Sequence, residues 1–533
     1  MGECSVDGKD GKTIHSVMEM LVRFSLEVGP QLEIWERRLR ENPGDLEAIE
    51  QDVSREYQRG AGLLIAGLVS VVMQTHELAA ASEQTRREFS IPLAKGRSRK
   101  LAIRLLGGVI MWATSLYCEP KRGLFRKPDD GAAGLHIELA QFGFGKKESP
   151  GLESRVARLS ALCPSFELAQ AELDRDGLSM SISAVRRVAQ QCGEDLLNLR
   201  TIQLQQWRAG TLESTNELAG MRVTVQIDGG RTRIRGDLRQ ATPQPETLSA
   251  DGFVISDAPG RSKTCAIQTF DSDWREPKLA TIFIHDEHGR MVKKSKATID
   301  GTFAGPDATA ELVAMHLHRM GAATATSITF VSDGAIWIWD RIDTIVKQAG
   351  IPDAVAIRQV LDNCHAAHHI SLALASLGIS AEERMPSYRD LRTRLRNGEW
   401  RYVVKELQQH ADANPEIEKL QTEVNYLRKH GEAGRLRYPL FKSLGIPIGS
   451  GAIESSIRRV INMRLKGCGT FWREENAESM LQLRALVISQ RWDERIRLLR
   501  HARKSCRLTD WRWTPQPMSS KSEPEPKSST NAV

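Results

Sequence analysis

Hydrophobic positions along this chain change their period more than once. From residue 13 to 90 they recur at i, i+3 and i+4. TIHSVMEMLVRFSLEV and LEIWERRLREN each carry one apolar helical face, and Pro30 and Pro43 interrupt the pattern. The spacing predicts a helical N-terminal region over 1–94. Its longest apolar run, 60–73, falls short of the ~20 residues a bilayer-spanning helix needs and reads as a buried core helix. The segment 95–150 is mixed. A basic start leads into LAIRLLGGVIMWATSLYC, which can turn back on itself as a hairpin at Gly107 and Gly108, and a Gly/Asp-rich loop follows. Over 151–215 three short helical patterns follow one another: LESRVARLSAL, SFELAQAELDRDG and SISAVRRVAQQCGEDLL. Ser181 or Ser183 is placed to cap the third, and Gly177 lies in the turn before it.

At Met221 the period shifts to two. MRVTVQID, RTRIRG and KLATIFIHDE read as strands, with a Pro/Gly/Ser-rich insertion at 237–261. A helix over 307–320, the strand ITFVSD, a helix over 335–348 and the strand AVAIRQVLD complete the pattern. A strand meander followed by alternating helices and strands predicts an α/β, ribonuclease-H-like catalytic domain. Its first part spans 216–362. The polar helical pattern over 363–444 reads as an all-α insertion, and 445–507 as the closing helices of the core. The Pro/Ser/Lys/Glu-rich tail, 508–533, is expected to be disordered.

Charge adds to this picture through its clustering. The net charge is +7, from 74 Lys+Arg against 67 Asp+Glu, which permits a polyanionic partner without requiring one. One basic group is Lys95, Arg97, Arg99, Lys100 and Arg104. A second is Arg458, Arg459, Arg464 and Lys466. A third, on the last helical pattern, runs from Arg491 through Arg495, Arg497, Arg500, Arg503 and Lys504 to Arg507. Each is as readily a solvated helix face as a phosphate contact. The three patterns of 151–215 have the size and rhythm of a helix-turn-helix, in which Arg186 and Arg187 would face DNA. A three-helix packing module that touches nothing has the same pattern and equal weight. The eight cysteines are scattered without a C-x-x-C pair, which argues against a Cys-rich zinc site and a disulfide scaffold. The opening MGECSVDGKDGK is polar and unlike a signal peptide. A cytoplasmic protein with no membrane partner is expected.

The candidate chemistry lies in three carboxylates. VTVQIDGG ends a strand on Asp228, SITFVSDG ends another on Asp333, and Glu454 opens a helix in GIPIGSGAIESSIRRVI. Each has a bland reading: Asp228 as a turn residue, Asp333 as a helix N-cap, Glu454 as a first-turn charge favoured by the helix dipole. Together they can hold hard divalent cations, Mg²⁺ above all, for in-line displacement at phosphorus. In that arrangement Asp228 would bridge two ions, with Asp333 and Glu454 each completing one site. Gly229, Gly230, Gly334, Gly449 and Gly451 would let a DNA backbone approach. In the helical insertion, Trp400 or Tyr402 can stack on an unpaired base, although a core position is the plainer reading.

Longer blocks carry a resemblance. QIDGGRTRIR, REPKLATIFIHDEHGR, IDGTFAGPDATAELVAMHLHRMGA, FVSDGAIWIWDRI, VLDNCHAAHHI, GIPIGSGAIESSIRRVINMRLKGCGTFW and EENAESMLQLRAL, within roughly 150–495, resemble a bacterial insertion-sequence DDE transposase of the Kra group, more distantly related to Mutator-type transposases. The resemblance implies the triad Asp228, Asp333 and Glu454. It also implies an Asp-x-x-His motif at Asp362 and His365 that orients DNA or supports the site; for His365 the plainer reading is a satisfied core histidine. Asn363, Cys364 and His368 stand where relatives often carry an aromatic pair and a Glu. Cys118 stands alone where many have a Cys pair.

The implied function is DNA transposition. The protein would bind the terminal inverted repeats of its insertion sequence, cut the ends by metal-dependent hydrolysis and join the 3′-OH ends to target DNA. Two Mg²⁺ ions, with Mn²⁺ able to substitute, would serve the chemistry. Double-stranded DNA, as element ends and target, would be the partner of a homodimer or larger synaptic assembly, nucleoid-associated when bound. Arg186, Arg187, Arg458, Arg459, Arg464 and Lys466 are the expected DNA contacts. The rivals are a catalytically inactive, transposase-derived DNA-binding protein and another ribonuclease-H-like nuclease.

Overall fold

A computed structural model describes residues 17–121, 134–238 and 270–506 apart from 468, together with 508, 513 and 515. Most of the 237–261 insertion and of the 508–533 tail lies outside the described residues.

Helices α1 (Val17–Glu41) and α2 (Leu46–Val72) form a hairpin. Asn42 caps the turn between them, its Oδ1 accepting from the Gly44 N–H at 3.1 Å. Pro43 breaks the chain there, but Pro30 does not: α1 runs through it. In a helix this long the one hydrogen bond a proline removes is outweighed by the turns on either side. Thr75 caps α3 (His76–Glu88). Strands β1 (Arg97–Arg104) and β2 (Ile110–Cys118) pair antiparallel, and the short β3 (Leu135–His136) extends them. Gly107 and Gly108 make the turn at φ 90° and 77°, which side chains resist. The sheet packs on α2 through Leu63, Ala66 and Val69 against Ile103, Leu105 and Met111, and α4 (Ile137–Gln141) closes the edge. Among the described residues no single helix is long and apolar enough to cross a membrane.

Three serines fix the starts of the next three helices. Ser149 caps α5 (Pro150–Leu162), Ser165 caps α6 (Phe166–Arg175) and Ser181 caps α7 (Ile182–Arg208), each accepting a backbone N–H three residues on. The third helix is far longer than a recognition helix requires, and its second half is buried in the core.

The central strands are β4 (Arg222–Gly229), β7 (Lys278–Ile284), β8 (Thr298–Thr302), β9 (Ser327–Ser332) and β10 (Ala356–Leu361). They stand in the order β10-β9-β4-β7-β8. β4, β9 and β10 run parallel, while β7 is antiparallel to both β4 and β8. The segments β5 (Thr232–Leu238) and β6 (Phe270–Arg275) leave this sheet and pair with each other. RTRIRG is therefore a strand outside the expected meander, and β8, which the pattern does not mark, is a strand within it. Helices α8 (Pro306–Arg319), α9 (Ile336–Trp339) and α10 (Ile342–Gln348) connect the later strands. α11 (Asn363–Ser376), α12 (Ala381–Arg396), α13 (Trp400–Ala413), α14 (Glu418–Glu432) and α15 (Tyr438–Ser443) follow β10. α16 (Gly451–Ile457), a π-helical turn, α17 (Glu474–Ile488) and α18 (Trp492–Ser505) close the chain.

The sheet is buried on both faces. Val223, Val225 and Ile227 of β4 pack with α8, α10 and α11. On the other face Leu279 and Ile299 pack with α7, α16 and α17. An ion cluster ties this second layer down. Arg200 of α7 donates to Asp300 of β8 at 2.8 Å and to Glu478 of α17 at 2.7 Å, and His316 of α8 meets the other Asp300 oxygen at 2.8 Å. Burial would raise the Asp300 carboxyl, but Arg200 and His316 hold it well below the usual carboxylate range.

Removing one member of a buried ion cluster strands its partners without counter-charge. We expect Arg200→Met to destabilise the protein by about 3–5 kcal/mol in urea unfolding. A loss under about 1 kcal/mol, the size of an exposed pair, would show that the cluster is not a hub.

Candidate active site

Side chains alternate across a strand, and in β4 the alternation is sharp. Val223, Val225 and Ile227 enter the core beneath α8, so Thr224, Gln226 and Asp228 face α16. The parallel pairing with β9 sets Arg222 against Ser327 and Val225 against Phe330. Continued to the strand ends, this register brings Asp228 level with Asp333. The Ser332 hydroxyl, accepting from the Ile227 N–H at 3.2 Å, stitches the two ends together. Asp228 is thus a strand residue, paired with Leu279 of β7, rather than a turn residue.

Both carboxylates are half-buried. Burial pushes the Asp228 carboxyl up to about 6, and the charge of Asp333 adds to the rise; the Gly229 N–H, at 2.6 Å, and His365 oppose it. Burial also raises Asp333, against the Ala335 N–H at 3.1 Å, His365 and Lys278. His365 therefore lies within electrostatic reach of both.

Asp362 is 1% exposed and acts through the backbone. One oxygen caps α11 at the His365 N–H, 2.8 Å away, and the other accepts the Ser450 N–H. The Ser450 hydroxyl donates to Glu454 at 3.1 Å. Gln226 grips the same turn from the sheet. Its amide donates to Gly449 O and its carbonyl accepts from the Ile453 N–H, both at 2.9 Å. Glu454, an exposed residue in the first turn of α16, is thereby held over the face that carries Asp228. Among the described residues no three His, Cys, Asp or Glu side chains stand close enough together to hold a metal ion. The structure brings Asp228 and Asp333 together and places Glu454 on the neighbouring helix.

Two residues of this site escaped the sequence reading. Lys278 opens β7 opposite Gly229. It is buried, donates to Glu276 at 2.7 Å and lies 4.9 Å from the Trp337 ring. Glu276 is close enough to raise both aspartates. The available signal was the charged pair in EPK immediately before an apolar strand.

Three of the five glycines near the carboxylates are closely packed within the protein. A Cβ at Gly334 would fall 2.0 Å from the Tyr426 hydroxyl, at Gly229 against Glu276 and at Gly230 against Ile461; only Gly451 faces open space. Tyr426 belongs to α14 and stacks on His369 at 3.6 Å, so the helical insertion presses on the turn that carries Asp333. Trp400 of the same insertion packs on Gly431, whereas Tyr402 is exposed beneath Arg394, 4.0 Å from its ring.

The expected DNA contacts divide. Arg186, Arg187, Arg458, Arg459 and Lys466 are exposed, Arg187 pairing with Glu148 at 2.5 Å. Arg464 is a correction. It is 4% exposed, donates to Ser160 O at 3.3 Å and lies over Phe166 and Trp472 at 4.8 and 5.1 Å. Burial brings its guanidinium down to about 10. The last basic helix is corrected likewise, since Arg491, Arg495 and Arg503 are buried, Arg503 on Glu153 and Asp195. No family model, curated protein or solved structure matches the chain.

The Asp228 shift has a sign that can be measured. Its folded pKa, about 6, lies above the ordinary aspartate value. The folded state therefore holds the proton more tightly, and stability falls as pH rises from about 4 to about 6. With metal chelated, Asp228→Asn should raise the melting temperature at pH 7, by the equivalent of at most about 3 kcal/mol, and the gain should shrink towards zero at pH 4. Identical melting of variant and wild type at pH 7 would contradict the assigned repulsion.

Proposed function

We propose that the chain is a DDE-type DNA transposase. The observation that carries this reading is the level placement of Asp228 and Asp333 at the ends of adjacent parallel strands. The sheet supports it. Counting β4, β7, β8, β9 and β10 as first to fifth, the order is 5-4-1-2-3 with only the second antiparallel, the arrangement of a ribonuclease-H-like domain. The helices between β10 and α16 would be the all-α insertion expected of the Kra group.

The carboxylate pair fits a divalent cation. Its donors are hard oxygens, and the repulsion that raises Asp228 is what a dication relieves. Asp228 and Asp333 would hold it, with Glu454 completing the set from α16. When bound, such ions lower the pKa of water and stabilise charge developing at phosphorus. The chain's own residues do the rest. Lys278 brings positive charge beside Asp333, where phosphate oxygens would sit. Asp362 and Gln226 fix the turn that carries Glu454. The exposed Arg186, Arg187, Arg458, Arg459 and Lys466 supply phosphate contacts, so end binding should weaken steeply with salt.

Strand cleavage of a duplex carrying the element's own end, with Mg²⁺, tests this reading. Wild type should cut, and Asp228→Asn and Asp333→Asn should each lose at least about a thousandfold, equivalent to about 4 kcal/mol. Binding without cutting by wild type would favour the inactive DNA-binding alternative, and equal cutting by all three proteins would refute the carboxylate assignment.

Asp362→Ala provides a second check. It should slow cleavage about 10–100-fold, the usual effect of losing a group that orients a ligand, with end binding unchanged. Unchanged cleavage would mean that the Ser450 link does not position Glu454.

A further inference from the structure

The chain of β4 continues past the candidate site. Beyond Gly229 and Gly230 it leaves the central sheet as β5, whose one strand partner among the described residues is β6. Directly opposed residues of an antiparallel pair share a face. The register sets Arg233 opposite Trp274 and Arg235 opposite Ser272. On the other face Thr232 and Ile234 are buried, the Thr232 hydroxyl donating to Leu465 O at 2.8 Å and Ile234 bridging to Trp472. On β5 one face is therefore covered and the other open, and β6 is exposed from Asp271 to Arg275.

The open side interleaves cations and rings. Trp274 is 45% exposed, and the guanidinium groups of Arg233 and Arg231 lie 5.0 and 5.7 Å from its centroid. Lys466 reaches the same ring at 5.8 Å. Arg235 lies 5.5 Å from Phe270, which meets Phe471 edge-on at 5.3 Å. The aspartates of β6, Asp271 and Asp273, alternate away from this face. Arg231 follows Asp228 by three residues, at most about 11 Å of extended chain. Asp228 and the arginines of β5 are thus parts of one continuous segment.

Base pairing and stacking hide the ring faces of a duplex, so exposed aromatics gain little from it. An unpaired strand offers both base faces for stacking and phosphates for the flanking cations. We propose that the open face of the β5–β6 ribbon binds single-stranded DNA and leads it to Asp228, with Trp274 as the stacking platform. The proposal rests on the DNA-processing reading above and replaces Trp400 and Tyr402 as the aromatic contact.

The test is fluorescence anisotropy with a labelled single-stranded oligonucleotide and with its duplex. It uses full-length protein carrying Asp228→Asn, without divalent cation, so that neither metal nor cleavage enters. Trp274→Ala should bind the single strand about tenfold more weakly, with duplex affinity changed less than about twofold. Trp274→Phe, which keeps a ring, should recover most of the loss. Arg233→Ala should weaken both ligands and lower the salt dependence. The proposal is overturned if the parent does not bind the single strand. It is equally overturned if Trp274→Ala binds it as the parent does, or loses both ligands equally. Failure of the wild-type protein to cut DNA would sink the transposase reading and leave these binding ratios to stand or fall separately.

Discussion

Two like charges at one level of two hydrogen-bonded strands are the constraint around which this domain is arranged. Adjacent strands lie about 4.8 Å apart. With an effective dielectric near 20, two carboxylates at that spacing repel by on the order of 3 kcal/mol. Burial is the main cause of the rise of Asp228 to about 6, and that repulsion adds to it. The protein offsets part of it. The Gly229 and Ala335 N–H groups each donate to one carboxylate, and Lys278 brings positive charge to Asp333. Strand direction explains Lys278. Because β7 runs antiparallel to β4, its first residue arrives beside the last residues of β4. A parallel neighbour would have put its opposite end there.

The helical insertion is held to the same constraint. Its two ends are clamped together: the Asn363 N–H donates to Ile448 O at 2.9 Å, and Asp362 accepts from Ser450. The backbone that leaves the sheet at β10 and the backbone that returns to α16 therefore meet within one hydrogen-bonded turn. The length of chain between them can vary without moving Glu454, since loop closure costs little more as a loop lengthens. The insertion is also no free appendage. Tyr426 packs where a side chain at position 334 would sit, so the insertion and the Asp333 turn constrain each other.

The elements that were legible in the sequence were those with one dominant period. β4 reaches Asp228 one residue before its end and β9 stops one residue before Asp333, close to where their patterns place them, and α8 carries a long apolar face. β8 was not legible, because TIDGT places Asp300 in a buried strand and only the partners Arg200 and His316, distant in sequence, make that tolerable. β5 reads as a strand but not as one that leaves the sheet, since pairing partners are set by tertiary packing. The same limit applied to the site. Asp228 and Asp333 stand out from local pattern and Asp362 with His365 only through the resemblance, whereas Lys278 and Glu276 enter only through strand direction.

Arginine shows most clearly why charge clusters in a sequence mislead. Arg464 and Arg503 belong to runs that look like basic surface, and both are buried. Arg464 lies over two rings, and Arg503 is paired to Glu153 and Asp195. A guanidinium is planar, weakly hydrated and able to satisfy several acceptors at once, so it can join helices across a core as well as meet phosphate. The reading turns on what surrounds each one. In the second basic cluster Arg458 and Arg459 stay in solvent while Arg464 turns inward, only a few residues away. On β5 the alternation keeps Arg233 and Arg235 on the open face while Thr232 and Ile234 fill the covered one. The net charge of +7 sums both kinds of arginine, but the field that a polyanion meets comes mainly from the exposed kind.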